Sequence, residues 1–565
     1  MGLQQSNLSS SSSTAPAFDY VVAVTQDSIN AALNQYLFYG KLSEVILIYV
    51  YDDNNNPVLY TGTFDDFKAT AGGTDPFAVA DKTASSDPAV QNLNNAYFAF
   101  GIKAKLGLPL GIAPANLPNI LTLKPGQSDV TYTLMFSEFI ATEIEFGPRS
   151  SITWVNQAQP RGTAWNFTGT VDLNFQDASF TDLTQAQQTQ LKGTPGATFS
   201  VQQLYYDLNS SDLEQGFTFT EVPSNSLLND FMTGDFINTY WKTLGGASML
   251  GYTAKQTSTT DPASIAITDL NFFTPDAIGT DGAPLTLNYL CASNGHALPS
   301  TTHAGFGWNW IDASEVGTYD GVAALNRNTF AQYLNSARLP SGESLSQYVA
   351  SNCYLPWVQV ITVGTVLDPG VQYSWDMTPG QSATVNFPST GSEIITYSYD
   401  SGTIADQAGD GGSLGRMELS CKFDLSVSVA GDQITIVQHL VIYTYCRKLA
   451  TSDSGNVVDK QITDVYSIGV DGNGHLFAAL ASSTPVDNSK TPSANSFLNF
   501  FADVDKLSDD VTSWAQSIVA NKFEDVPLSF VENFIFPGGA TFNFADASFS
   551  DTQDLVSHIT YKEQS

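Results

Sequence analysis

Asp19-Tyr-Val-Val-Ala-Val-Thr25 and Asp320-Gly-Val-Ala-Ala-Leu-Asn326 align without a gap, and the alignment runs on into the residues that follow. Ile29 and Leu33 match Phe330 and Leu334, apolar positions four apart on one helix face. Thr25 and Asn326 stand just before that face begins, and both residue types accept the free amides of a first helical turn. Each stretch therefore predicts a short apolar strand, a cap and an amphipathic helix. Two further pairs keep the same order in the chain. Pro125-Gly-Gln-Ser128 matches Pro379-Gly-Gln-Ser382, and Asn174-Phe-Gln-Asp-Ala-Ser-Phe180 matches Asn543-Phe-Ala-Asp-Ala-Ser-Phe549. Three collinear pairs with uneven spacing predict an old internal duplication. Its boundary falls near residue 305, where Ser293–Gly307 is rich in Gly, Ser and Thr and suits a linker.

Outward from these anchors the pattern is mostly strands. Lys422 to Val429 alternates apolar and polar side chains, which marks a strand with one buried face. It turns at Ala430-Gly-Asp432 and returns from Ile434 to Tyr445 as a long hairpin. Glu44–Tyr51 and Val58–Thr63 form a second hairpin around Asp52–Pro57; residues 129–146 and 163–180 are further strands. Residues 65–95 and 401–415 read as long loops, and the Ser-rich residues 1–16 as a disordered tail. One helix stands out over Ser496–Asn521. Phe497, Phe500, Phe501, Val504, Leu507, Val511, Trp514, Ile518 and Val519 recur at spacings of three and four through about seven turns. Leu227–Leu244 is a shorter counterpart, interrupted by Gly234.

Length and charge bound the function. At roughly 100–250 residues per domain, 565 residues predict two or three domains. Only 14% of residues are charged, so Ser, Thr, Asn, Gln and Gly must cover the surface, and these favour strands and turns. The net charge of −34 repels phosphate backbones and excludes a nucleic-acid binder. No uncharged apolar run is long enough to span a bilayer, and no basic stretch precedes an apolar core as a secretion signal. The chain is therefore expected in the cytoplasm, or released without a standard signal peptide. Met1-Gly-Leu-Gln-Gln-Ser6 fits an acylation pattern, but the first lysine is Lys41, so the polybasic second anchor is missing.

Catalytic and metal signatures are lacking. The five histidines are unsuited to metal-ligand spacing, and Cys291, Cys353, Cys421 and Cys446 match no zinc motif, so no metal and no cofactor is expected. The cysteines read as buried free thiols; Cys446 should oppose residues near Glu418 rather than Cys421. Asp471-Gly-Asn-Gly-His475 lacks the spaced carboxylates of a calcium loop and reads as a hairpin turn. His439 sits in an alternating strand as a structural residue. Trp308 and Trp310 have the spacing of a sugar-stacking platform in a strand, or of paired core aromatics, and the core reading is preferred.

The strand–cap–helix pieces at 19–37 and 320–338, the two Pro-Gly-Gln-Ser turns and the long amphipathic helix resemble the clostridial P-47 family. Asp320 to Phe330 carries most of the likeness, with Gly307-Trp-Asn-Trp310 just upstream. The resemblance implies membership of the tubular lipid-binding superfamily, in which a curved antiparallel sheet wraps a long helix and the groove between them holds a lipid. It implies no catalytic residues.

The expected fold is α+β: strongly curved, mostly antiparallel sheets wrapped on long amphipathic helices. After the tail of 1–16, one such domain spans 17–305 and a second spans 306–565. The expected function is non-enzymatic binding of a lipid or other apolar small molecule, as an accessory to a toxin or secreted complex. Phe497, Phe500, Phe501, Val504, Leu507, Val511, Trp514 and Ile518 are the candidate contacts. The alternatives are a structural component that binds another protein without a ligand, and a carbohydrate-binding protein.

Overall fold

A computed structural model describes residues 3–9, 18–39, 44–127, 129–148, 151–178, 199–207, 218–219, 236, 239–240, 249–256, 267–276, 282–299, 306–336, 343–472, 474, 476–490, 534–535 and 542–561. Every ladder between its named strands is antiparallel, and the strands outweigh a few short helices in a curled half-barrel, as the mostly-β α+β expectation required.

The two aligned stretches meet at the centre. Tyr20–Thr25 and Gly321–Leu325 lie side by side, with Val22 opposite Ala323. Both strands are apolar on both faces and buried on both faces, because other elements cover each side of the sheet they share. Thr286–Ser293 flanks the first strand and Leu555–Tyr561 flanks the second, so the sheet has a local two-fold relation across the central pair. The expected boundary near residue 305 therefore separates segments that share one sheet. Strand Phe534–Ile535 also crosses it, pairing with Met249–Gln256.

Each central strand passes directly into a helix, Gln26–Tyr39 or Arg327–Ser336, and the two caps form as expected. Thr25 Oγ1 accepts from Ser28 N at 3.2 Å, and Asn326 Oδ1 accepts from Asn328 N at 2.8 Å. The aspartates that open the two stretches staple the halves reciprocally. Asp320 accepts from Ser28 Oγ and from Tyr561 N, both at 2.6 Å. Asp19 accepts from Thr329 Oγ1 at 2.9 Å and from Ser293 N at 2.6 Å. Each carboxylate thus holds the third helical residue of the opposite half and the end of its own half's closing strand. The other two sequence pairs differ. Gly126 and Gly380 both take positive φ in turns, +72° and +91°. Residues 174–178, however, pair with the 199–207 strand of the N-terminal sheet, whereas 543–544 and 548–549 pair with Leu555–Tyr561 of the central sheet. That third pair does not occupy equivalent places.

On either side of the centre lies a larger sheet. The N-terminal one has eleven strands, with Asp129–Phe146 as its spine. The C-terminal one is a seven-stranded sheet whose meander runs through Gly415–Ala430, Gln433–Lys448, Thr451–Val470 and Leu476–Asp487. The predicted hairpin over 422–445 is its middle, closed by Gly431-Asp432 with Gly431 at φ +59°. Asp471 to His475 joins the next two strands. Cys446 faces Met417, Cys421 faces Ile442, and all four thiols are buried and free.

Three expectations are corrected. Residues 65–95 are not a loop: helices Phe64–Thr70 and Pro88–Asn95 form there, with a short 3-10 turn at Pro76–Ala78. Thr63 and Asp66 make a reciprocal capping box, while Asp75 and Asp87 each cap a proline-led start, which presets the helical φ. Residues 404–408 of the other supposed loop pair with Gly415–Ala430. Within the tail, residues 3–9 are docked, with Leu3 and Leu8 buried in the cluster of Phe18, Phe306, Trp308 and Trp310. Asp554 explains the docking. Its fully buried carboxylate accepts from Ser6 Oγ at 2.8 Å, Leu8 N at 2.7 Å and Arg327 N at 3.1 Å.

Candidate functional site

Two short helices face the concave side of the C-terminal sheet. Arg327–Ser336 turns Phe330, Ala331, Tyr333 and Leu334 inward. Leu345–Ser351, started by a Ser344–Gln347 capping box, turns in Leu345, Tyr348 and Val349. Beneath them, alternation places Val427, Ile434, Ile436 and Tyr466 on the buried face. An apolar crevice remains between helices and sheet, lined by Leu334, Leu345, Val427, Ile434, Ile436, Tyr466 and Ala478. Its cavity volume is about 10 Å³, room for little more than one water-sized sphere. In this arrangement it accepts an alkyl chain only if the helices lift.

Polar groups neighbour the lining residues without lining the crevice themselves. Asp464 is directly opposite Ile436, lies on the same strand face as Tyr466, and is 2% exposed. Among the described residues its Oδ1 has no hydrogen-bond partner. Burial raises its carboxyl above the ordinary range, and a hydrogen bond with Ser483 only partly opposes that. Gln438, two residues beyond Ile436 on the same face, accepts from the Tyr348 hydroxyl at 2.5 Å. The Tyr348 phenol is itself pushed up, mainly by burial and in part by Asp464. The arrangement is a greasy wall with an unsatisfied acceptor at one end. Such an acceptor costs about 1–3 kcal/mol while it stays unpaired.

The N-terminal half differs, because aromatic rings fill the equivalent space. Phe236 and Tyr240, from the predicted 227–244 helix, pack on the spine of the eleven-stranded sheet. Phe236 stacks on Phe167 at 4.9 Å, and Tyr240 meets Phe136 edge-on at 5.6 Å. The sequence-selected residues Phe497, Phe500, Phe501, Val504, Leu507, Val511, Trp514 and Ile518 lie outside the described residues. Trp308 and Trp310 are core, as preferred, yet they lie in an irregular segment rather than a strand. They pack edge-to-face at 5.4 Å over the outer face of the central sheet.

Two of the histidines are held by carboxylates. His439 is held by Asp459 at 2.9 Å across a strand pair. His296 meets Asp19 at 2.9 Å, but the nearby Ser293 hydroxyl donates to that carboxylate rather than to the imidazole, so it is not activated as a nucleophile. Among the described residues no three His, Cys, Asp or Glu side chains converge as a metal site, and no helix is long and apolar enough to cross a membrane.

Sequence reasoning missed Asp464, Gln438 and Tyr348. A signal for two of them was present: Gln438 interrupts the inward series Ile434, Ile436, Leu440, Ile442, and Asp464 precedes Tyr466 and Ile468 in the same way.

No family model matches the chain, and no curated protein does. Solved structures do. P-47 from Clostridium botulinum A2 is 10% identical, with 96% of each chain covered and a TM-score of 0.41. P-47 of Clostridium botulinum E1 is also 10% identical, covering 96% of this chain and 99% of that one, with a TM-score of 0.44. A lipopolysaccharide binding protein is 11% identical over 97% of this chain and 100% of its own, with a TM-score of 0.25.

Proposed function

We propose that the chain is a non-enzymatic binder of a lipid or similar apolar molecule, seated between helices 327–336 and 345–351 and the C-terminal sheet. The observation that carries this reading is the orphan carboxyl oxygen of Asp464, a residue directly opposite Ile436 and so next to the wholly apolar lining of the crevice. A folded core gains nothing from such a group, since an apolar residue of similar shape fills the position without the desolvation cost. A ligand with a hydroxyl or amide head satisfies it, with Gln438 and Tyr348 beside it, while each buried methylene of its tail contributes about 0.8 kcal/mol. The narrow crevice then corresponds to a closed, ligand-free state. The family resemblance carried by Asp320–Phe330 implies the same ligand class, and an accessory role beside a toxin or secreted complex rests on that resemblance alone. Native mass spectrometry of the purified chain, followed by lipid extraction, tests the proposal. A mass excess that extracts as lipid supports it; bare protein from several hosts, with no uptake of added long-chain alcohol, overturns it.

A second reading is a structural protein that binds another protein without a ligand. The narrowness of the crevice favours it, and the bare-protein outcome selects it.

A further inference from the structure

The strands Leu355–Gly364 and Pro369–Thr378 form a two-stranded sheet of their own. Its base is tied to the body: Pro356, Val358 and Val360 are buried, and Val360 N donates to Asp406 at 2.7 Å. On the return strand Val371, opposite Thr362, still packs against the core, and beyond that pair the hairpin leaves it. Ile361 and Val363 are 41% and 38% exposed, and in the connecting turn Val366 and Leu367 are 99% and 97% exposed. The next most exposed large apolar residues among those described, Phe38 and Tyr97, reach only 69%. The turn is closed between Thr365 and Asp368, each amide donating to the other's carbonyl. Two adjacent aliphatic side chains are therefore held at a convex tip with almost no contact to their own protein.

We propose that this tip inserts into the interface of a lipid bilayer with neutral, zwitterionic headgroups. Shape selects a bilayer over a folded partner. A stable protein interface needs about 800 Å² from each side, which a tip of four side chains cannot supply, whereas a fluid bilayer closes around a convex point from all directions. Charge selects the lipid. No Lys or Arg occurs between Arg338 and Arg416, Asp368 adjoins Leu367, and the whole chain carries −34, so anionic headgroups repel it. The Asp368 carboxylate also sets the depth, because it stays in the headgroup layer while Val366 and Leu367 reach the acyl boundary. This anchoring is separate from cargo binding: loss of extracted lipid with intact vesicle binding counts against the cargo reading alone.

The test is flotation of the full chain with phosphatidylcholine vesicles. The parent is expected to co-float, the double variant Val366→Ser, Leu367→Ser to lose at least tenfold in bound fraction, and vesicles with added phosphatidylserine to bind less. The substituted side chains touch little of the protein, so thermal unfolding should be unchanged in the variant. Leu367→Trp should show a blue-shifted emission quenched by brominated phosphatidylcholine. Three results overturn the proposal: a parent chain that fails to float, equal flotation of parent and double variant, or a Leu367→Trp emission unaffected by vesicles. Concentration-dependent self-association that disappears in the double variant, without flotation, would assign the tip to a second copy of the chain instead.

Discussion

Replacing Asp464 with Leu separates a structural carboxyl from a ligand contact. Asp464 is buried, one of its oxygens is unpaired among the described residues, and Ser483 on a neighbouring strand is its hydrogen-bond partner. Removing the carboxyl relieves a desolvation cost of about 1–3 kcal/mol and loses one hydrogen bond with a net worth of about 1 kcal/mol. The leucine side chain then fills space between Ile436 and Tyr466, which adds apolar burial. The sum is a ligand-free protein more stable by about 1–2 kcal/mol. The same substitution takes away the acceptor for the ligand head, and a lost hydrogen bond to a charged group is worth about 1.5–3 kcal/mol, or roughly 10- to 100-fold in Kd. Urea unfolding of delipidated protein reads the first quantity, and titration with a fluorescent long-chain alcohol reads the second. Asp464→Asn keeps the shape and should fall between parent and leucine variant in both. A leucine variant that unfolds more easily while binding the probe as tightly as the parent would refute the reasoning.

Three further outcomes are expected. Thr25→Ala should cost about 1 kcal/mol in a denaturant melt, as a lost cap does. Asn326→Ala should cost about twice that, because the same carboxamide also accepts from Ser9 Oγ and donates to the Phe18 carbonyl; equal losses would contradict those contacts. Asp320→Ala removes two bonds of 2.6 Å at the seam, a loss of about 3–5 kcal/mol, and should speed amide exchange at both Gln26–Tyr39 and Leu555–Tyr561; exchange altered in only one of them would show that the staple does not join the halves. The third concerns pH. Burial pushes the Asp554 carboxyl up to about 6, above the ordinary carboxylate value near 4 that it has in the unfolded chain, so the folded state binds the proton more tightly. This carboxyl's contribution to folding stability is therefore fully present below pH 4 and is lost as pH rises through 6, by about 3 kcal/mol in all. In urea unfolding, the parent should lose more stability between pH 4 and pH 7 than Asp554→Asn does, and equal losses would contradict the raised carboxyl.

The legible parts of the fold were those where one period dominates. Lys422–Val429 and Ile434–Tyr445 alternate so regularly that strand, turn and register could be read directly, including Cys446 near Glu418. The caps at Thr25 and Asn326 were legible because side-chain chemistry alone specifies them. The 65–95 segment was obscured by its glycines and prolines, although Asp75-Pro76 and Asp87-Pro88 were start signals in plain view. Docking of residues 3–9 could not be read locally, since a Ser-rich composition says nothing of a buried carboxylate far along the chain. The site was partly legible in the same sense: polar residues at inward strand positions mark it, but only the packing of two helices over them makes a crevice.

The seam of the central sheet also sets a schedule. Tyr20–Thr25 closes only against Thr286–Ser293 and Gly321–Leu325, and the latter in turn pairs with Leu555–Tyr561. Ser6 and its partner Asp554 are 548 residues apart. On the ribosome the segments translated first thus find their neighbours last, and the two halves have no finished edge between them until residue 561 has emerged. Contacts of such separation are slow to form and leave apolar strands unpaired in the meantime. Overproduction of this chain should be limited by the wait for strand Leu555–Tyr561, and slower synthesis or a holdase chaperone should raise the soluble yield more than any single stabilising substitution.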